Sequence, residues 1–94
     1  MTELEEQVYR KIIETMDVDE SALTGFTETS AIFGEAEPGE VSMGLDSIDS
    51  LELLVMIEKE WGLGEIPGED MINLDTVKSI AGYIESHLPK ETKS

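Results

Sequence analysis

The sequence has no cysteine, few basic residues and few aromatic residues. Without cysteine, the 94-residue chain can form no disulfide framework, no thiolate metal site and no catalytic thiol. Six Lys and Arg stand against 22 Asp and Glu, which gives a formal net charge of -16. Because like charges repel, this balance argues against nucleic acid and against an anionic membrane surface as ligands.

Long apolar runs are also missing, and no segment of the sequence reaches the length needed to span a bilayer. The first residues are acidic and lack the basic and apolar regions of a signal peptide. We therefore expect a monomeric cytoplasmic protein with no membrane insertion and no metal site. The length predicts one small domain over residues 1–89, followed by a flexible tail over residues 90–94.

Apolar periodicity predicts an all-α fold with three longer helices and one short helix. The first helix covers residues 2–16, the second residues 47–61 and the short third helix residues 68–73. Asp75 is the predicted N-cap of the last helix, and Pro89 ends it. The predicted architecture is an irregular bundle.

Residues 17–46 have no sustained period and are interrupted by glycines and Pro38. We predict a long first loop, because no strand alternation of useful length is present. Residues 35–40 should form an exposed acidic turn. Apolar side chains should anchor the loop to the core, namely those of Leu23, Phe26, Ile32 and Phe33.

The second helix has two apolar stripes rather than one. The first stripe can face the core and consists of Leu53, Leu54, Ile57 and Trp61. The second stripe, Ile48, Leu51 and Val55, then lies partly outside among acidic residues. A helix that is apolar beyond one stripe is either deeply buried or meets a partner.

A serine stands where this helix begins, in the segment Gly44-Leu45-Asp46-Ser47-Ile48. A hydroxyl there is exposed beside the positive end of the helix dipole, where a phosphate group is favoured. Taken alone, Asp-Ser before a helix is usually an ordinary N-cap. The longer segment from Met43 to Trp61, however, resembles the Gly-x-Asp-Ser-Leu signature of acyl carrier proteins. The resemblance covers residues 41–84 well and the first helix loosely.

This resemblance implies a cofactor and a partner. Ser47 would carry 4'-phosphopantetheine, transferred from coenzyme A by a separate phosphopantetheinyl transferase, and Asp46 would be the acid beside it. That group would supply the thiol that the chain lacks and would hold acyl groups as thioesters. The chain would present them to enzymes of fatty-acid, lipid or polyketide synthesis. It would not be an enzyme and would need no catalytic residue.

The resemblance also assigns further residues. Ile48, Leu51, Glu52, Val55 and Glu58 would meet acyl-processing enzymes through basic docking patches. Leu54, Ile57, Trp61 and Ile84 would line a cavity between the helices that shelters the acyl chain. Residues 35–70 carry eleven Asp or Glu and one Lys, and that acidity favours docking to basic surfaces over a merely solvated face.

Three departures from the family pattern suggest a specialised carrier. Ile48 replaces the usual leucine, Trp61 stands where phenylalanine is common, and the stretch from Phe33 to Gly44 looks long. Two other functions stay open: an aminoacyl or peptidyl carrier with the same cofactor, and an unmodified acidic interaction module in which Ser47 is only a cap. Ser50 is a weaker candidate for attachment than Ser47, because no glycine lies three residues before it.

Overall fold

A computed structural model describes residues 1–87 of the chain and confirms the predicted helical bundle. Three longer helices and one short helix are present among these residues, as expected. The elements in chain order are α1 (Glu3–Met16), a 3-10 turn (Glu20–Leu23), β1 (Ala31–Phe33), β2 (Ser42–Leu45), α2 (Ser47–Glu60), α3 (Gly68–Met71) and α4 (Val77–His87). The predicted helix end at Pro89 and the predicted tail lie outside the described residues.

Helix α1 begins with a capping box, for which Thr2 and Glu5 have the required spacing in the sequence. The Thr2 hydroxyl accepts a hydrogen bond from the Glu5 amide at 3.1 Å, and the Glu5 carboxylate accepts one from the Thr2 amide at 2.8 Å. These bonds satisfy amide groups that a helix start otherwise leaves without partners. The helix ends at Asp17, whose backbone is left-handed with φ of 55°.

The core forms where α1 packs against α2 and α4. Each helix contributes apolar side chains at helical spacing, so one stripe of each faces the same interior. The largest fully buried side chains are those of Val8, Ile12, Ile32, Leu53, Ile57, Val77, Ile80 and Ile84. Side chains packed to this degree stabilise the domain mainly by removing apolar area from water.

The long first loop contains two short strands, contrary to the prediction that it has none. β1 and β2 pair in parallel, with Ala31 opposite Ser42 and Phe33 opposite Leu45, and the register shifts between these pairs. The loop anchors are confirmed: Leu23 and Ile32 are buried, while Phe26 and Phe33 pack half-buried against the core. Strands of three and four residues with an interrupted register are too short and irregular to produce an alternating pattern.

The predicted acidic turn between the strands is present and exposed. The Glu40 amide donates to the Glu37 carbonyl at 2.9 Å. Pro38 and Gly39 occupy the central positions, and Gly39 has φ of 85°. Proline followed by a residue of positive φ is typical of a type II turn, which explains this Pro-Gly pair.

The strand pair is attached to the start of α4. The Ile32 amide donates to the Asp75 carbonyl at 3.1 Å, and the Lys78 amide donates to the Glu28 carbonyl at 2.9 Å. The prediction that Asp75 caps α4 is wrong: the Thr76 hydroxyl accepts from the Ser79 amide at 3.0 Å, while the Ser79 hydroxyl accepts from the Thr76 amide. Asp75 instead contributes its backbone carbonyl to the contact with β1.

Helix α2 provides a matched test of the core. Ile57 has no exposed surface, whereas Ile48 in the same helix is 75% exposed. We expect Ile57→Ala to lower the free energy of unfolding by about 2–5 kcal/mol, because it leaves a cavity in a packed core. Ile48→Ala should change it by less than about 0.5 kcal/mol. Urea denaturation of both variants measures the difference, and equal effects would contradict the assignment of the core face.

Candidate functional site

Asp46 is the N-cap of α2 and takes part in a second capping box. Its carboxylate accepts from the Asp49 amide at 2.9 Å, and the Asp49 carboxylate accepts from the Asp46 amide at 3.0 Å. Gly44, two residues before Asp46, has φ of 73°, a conformation that side-chain-bearing residues rarely adopt. Either residue of the Asp46-Ser47 pair suits an N-cap, and the capping bonds belong to Asp46.

Ser47 is therefore the first residue of α2, one position after the cap. Its side chain is exposed, and its hydroxyl has no hydrogen-bond partner among the described residues. The amides of Ser47 and Ile48 belong to the first turn, where an α-helix leaves amide groups unpaired. An exposed hydroxyl beside such amides at a helix start is a suitable place for a phosphate group.

Ser50 differs from Ser47 in what its hydroxyl does. The Ser50 Oγ donates to the Ser47 carbonyl at 2.6 Å, and its residue is half-buried. The sequence argument preferred Ser47 because of the glycine three residues before it. The structure adds a physical difference, because the Ser47 hydroxyl is free to react and the Ser50 hydroxyl is engaged.

An open groove of about 790 Å³ runs beside Ser47. The strand pair forms one side of it, and α2 and α3 form the others. Its apolar lining consists of Phe33, Leu45, Leu51, Leu54, Met71 and Ile72. Ser47 itself belongs to the lining, so a group attached to its hydroxyl starts at the edge of an apolar surface.

The residues predicted to form a cavity occupy different places. Leu54 lines the groove. Ile57 and Ile84 are fully buried in the core, and Trp61 is half-buried against it at the end of α2. Phe33, Met71 and Ile72 also line the groove, although the sequence does not indicate them as acyl-site residues. The only sequence signal for Ile72 was an apolar residue at the end of a short helix.

The outer stripe of α2 is exposed, as its spacing indicated. Ile48 is 75%, Leu51 65% and Val55 47% exposed, and Glu52 is exposed between them. Large apolar side chains grouped on one surface are typical of an interaction site. Their contact with partner enzymes stays a prediction.

Glu58 makes a contact within the molecule. Its carboxylate accepts from the Ile66 amide at 2.8 Å, so it holds the segment that leads from α2 to α3. A half-buried carboxylate bonded to a backbone amide has less freedom to pair with a partner than exposed Glu52. A role of Glu58 in docking stays a prediction.

Helix α3 is tied to α4 by a second polar contact. The Tyr83 hydroxyl donates to the Asp70 carboxylate at 3.0 Å. Burial, followed by this bond, raises the pKa of Tyr83 above its ordinary value. The phenolic proton is therefore retained at neutral pH, where the contact is present. Together with the Glu58–Ile66 bond, it keeps α3 in place as a wall of the groove.

Comparison with known proteins identifies the class. The model of the family described as "Phosphopantetheine attachment site" matches residues 32–84, more than half of the chain. The chain is also 33% identical over 87 residues to an acyl carrier protein of Azobacteroides pseudotrichonymphae genomovar. CFP2, covering 93% of this chain and 91% of that protein. The chain belongs to the acyl carrier protein family, whose prosthetic group is covalently attached phosphopantetheine.

The residues around Ser47 fit this group. The match includes all of β2, α2 and α3, and β1 from its second residue onward. The exposed hydroxyl is available for a phosphodiester, the first turn of α2 favours its phosphate, and the groove offers apolar area to what the group carries. No helix within residues 1–87 is long and apolar enough to cross a membrane. Within the same residues, no three His, Cys, Asp or Glu side chains group as a metal site.

The cap assignment yields a stability prediction. Asp46→Ala should lower the free energy of unfolding by about 1 kcal/mol, because the Asp49 amide loses its acceptor. Asp46→Asn should retain most of the stability, since an amide oxygen also caps. Ser47→Ala should cost less than about 0.5 kcal/mol, because its hydroxyl makes no cap. Urea denaturation compares the three variants, and a larger loss in Ser47→Ala than in Asp46→Ala would refute the assignment.

Proposed function

We propose that this chain carries acyl groups on phosphopantetheine attached to Ser47 and presents them to enzymes of fatty-acid, lipid or polyketide synthesis. The observation that carries this proposal is the free, exposed hydroxyl of Ser47 at the start of α2, inside the matched region. The bound group supplies a thiol for thioester formation. The chain contributes attachment, orientation and surface, and we propose no catalytic residue in it.

In this proposal Asp46 positions Ser47, and the transferase performs the chemistry. Asp46 holds the helix start, so Ser47 projects from an ordered turn rather than from a mobile loop. The transferase joins the Ser47 oxygen to the phosphorus that bears the pantetheine part of coenzyme A. The pyrophosphate bond at that phosphorus breaks, and adenosine bisphosphate leaves. The serine proton leaves to a base of the transferase or to solvent, so the carrier needs no base of its own.

Intact mass spectrometry tests the attachment. The protein is incubated with coenzyme A, Mg²⁺ and a broad-specificity phosphopantetheinyl transferase. We expect the wild type and Ser50→Ala to gain one phosphopantetheinyl group and Ser47→Ala to gain none, because the Ser47 hydroxyl is free and the Ser50 hydroxyl is engaged. No gain in a folded, initially unmodified wild type would refute the carrier function. A gain in Ser47→Ala would refute the site.

We also propose that the outer stripe of α2 docks to basic patches of partner enzymes. The exposed stripe Ile48, Leu51 and Val55 is apolar, and Glu52 and the two cap carboxylates lie beside it. Residues 35–70 carry a formal charge of -10, from eleven acids and one base. Charge of this density attracts a basic surface over a distance, while the apolar residues give close contact.

The kcat/KM of the transferase at different salt concentrations tests this docking. Raising the ionic strength from about 0.01 M to about 1 M shortens the Debye length from about 30 Å to about 3 Å. We expect kcat/KM to fall steeply, because the charges are exposed. Glu52→Gln should flatten the salt dependence, whereas Glu85→Gln, which removes the same charge from α4, should leave it nearly unchanged. An equal decrease of kcat/KM with salt in the wild type, Glu52→Gln and Glu85→Gln would contradict docking through α2.

A further inference from the structure

We propose that Lys59 pairs with a carboxylate of the phosphopantetheinyl transferase that loads this chain in its own organism. The inference deepens the proposed docking through the outer stripe of α2 and rests on it. It gives the docking surface two signs of charge, acidic near Ser47 and basic near the end of the helix. It also defines the surface of the partner, which would carry bases near its active site and a carboxylate farther away.

Lys59 continues the outer stripe toward the end of α2. It follows Ile48 by eleven residues, Glu52 by seven and Val55 by four, and each separation is close to a whole number of helical turns. All four side chains are exposed, whereas Leu53 is fully buried on the other side of the helix. Lys59 therefore faces the protein that docks to the outer stripe.

No carboxylate pairs with Lys59 within residues 1–87. A lysine on a helix can reach side chains three or four positions away. Met56 and Val55 stand at those positions on the preceding turn, and neither is charged. The helix ends at Glu60, so the following turn offers Lys59 no helical neighbour.

The two acids beside Lys59 in the sequence have other partners. The Glu58 carboxylate accepts from the Ile66 amide at 2.8 Å, and the Glu60 carboxylate lies 3.5 Å from Nζ of Lys11 in α1. Adjacent residues of a helix do not face each other, so neither acid is placed to pair with Lys59. In a chain with 22 Asp and Glu, Lys59 is thus a base that the described part of the fold leaves unpaired.

A base in the last turn of a helix also interacts favourably with the helix dipole. That interaction explains why a base stands near the end of α2. It does not depend on the side of the helix that the base occupies, so it does not explain why Lys59 lies on the outer stripe. The two roles have different consequences, because the dipole acts on stability and a pair with a partner acts on docking.

The transferase must contact this end of the molecule, because it acts on the Ser47 hydroxyl in the first turn of α2. Lys59 lies about 18 Å along the helix axis from Ser47, at a rise of about 1.5 Å per residue. A protein interface of standard size covers about 800 Å² on each partner, which corresponds to a patch about 30 Å across. An interface that includes Ser47 and the outer stripe therefore reaches Lys59.

The charges of this face select the charges of the partner. Asp46, Asp49 and Glu52 lie at the start of α2 and attract bases. Lys59 would repel a base brought to the far end of the helix. A carboxylate opposite Lys59 replaces that repulsion by an attraction. The two signs together fix the direction in which the partner lies along α2, and they disfavour a partner whose surface carries bases alone.

Charge variants of Lys59 test the pairing with a matched control. Lys59→Glu reverses the charge, Lys59→Gln removes it and Lys59→Arg keeps it. Lys78→Glu makes the same reversal at an exposed base of α4, on a surface formed by α4 and the start of α1. The readout is the kcat/KM of the organism's own transferase, followed by intact mass. The ionic strength is about 0.1 M, where the Debye length of about 10 Å keeps distant charges from contributing.

We expect Lys59→Gln to lower kcat/KM by about twofold to fivefold, the effect of losing one exposed ion pair. Lys59→Glu should lower it by about tenfold, because attraction becomes repulsion. Lys59→Arg and Lys78→Glu should stay within about twofold of the wild type. At about 1 M ionic strength, where the Debye length is about 3 Å, Lys59→Glu should come within about twofold of the wild type at the same salt.

The sign of the change separates the alternatives. A higher kcat/KM in Lys59→Glu would indicate a uniformly basic partner and would overturn the pairing. An unchanged kcat/KM together with a lower Tm would overturn it too, and would assign Lys59 to the helix dipole. An equal loss in Lys78→Glu, or a loss in Lys59→Glu that persists at high salt, would likewise contradict a local ion pair. Absence of any mass gain in the wild type would refute the attachment at Ser47, which is a separate result.

Discussion

The reciprocal hydrogen bonds between Asp46 and Asp49 determine how the functional end of the molecule is arranged. Because Asp46 caps α2, the next residue is free of that task, and its hydroxyl faces solvent at the first turn. A serine in the cap position itself would turn its oxygen back toward the helix amides. The same two carboxylates make the surroundings of Ser47 acidic. One local motif thus orders Ser47, leaves its hydroxyl accessible and contributes to the acidic surface proposed to meet a basic partner.

The parts of the structure that local chemistry controls could be predicted from the sequence. The spacing of Leu4, Val8 and Ile12 and the capping box at Thr2 define α1 without reference to the rest of the chain. The strand pair could not be predicted, since each strand is short, β2 contains Gly44, and their pairing depends on distant residues. The cap of α4 was ambiguous for the same reason. Asp75 and Thr76 both suit an N-cap, and the bond from the Ile32 amide to the Asp75 carbonyl is a tertiary contact.

The candidate site likewise has parts that local sequence predicts and parts that depend on tertiary contacts. Ser47 and the exposed stripe of α2 follow from the motif and from helical spacing. The groove does not, because its walls come from β1, β2, α2 and α3, and no spacing within one element relates Phe33 to Ile72. Helical periodicity showed that α2 has two apolar stripes, but it could not show which neighbours cover Ile57 and which leave Leu54 at the surface. Glu58 is a further case, since its bond to the Ile66 amide depends on the path of the chain after α2.

Helix α2 uses only a narrow face for folding. Leu53 and Ile57 are its fully buried residues, while Ile48, Leu51 and Val55 are exposed and Leu54 lies in the groove. The core is completed by α1 and α4, whose buried residues meet those two positions. Since Ile48, Leu51 and Val55 are exposed, these outer residues can vary at small cost in stability. The fold thus depends on one face of α2 and leaves another exposed, and Ser47 stands in the first turn of the same helix.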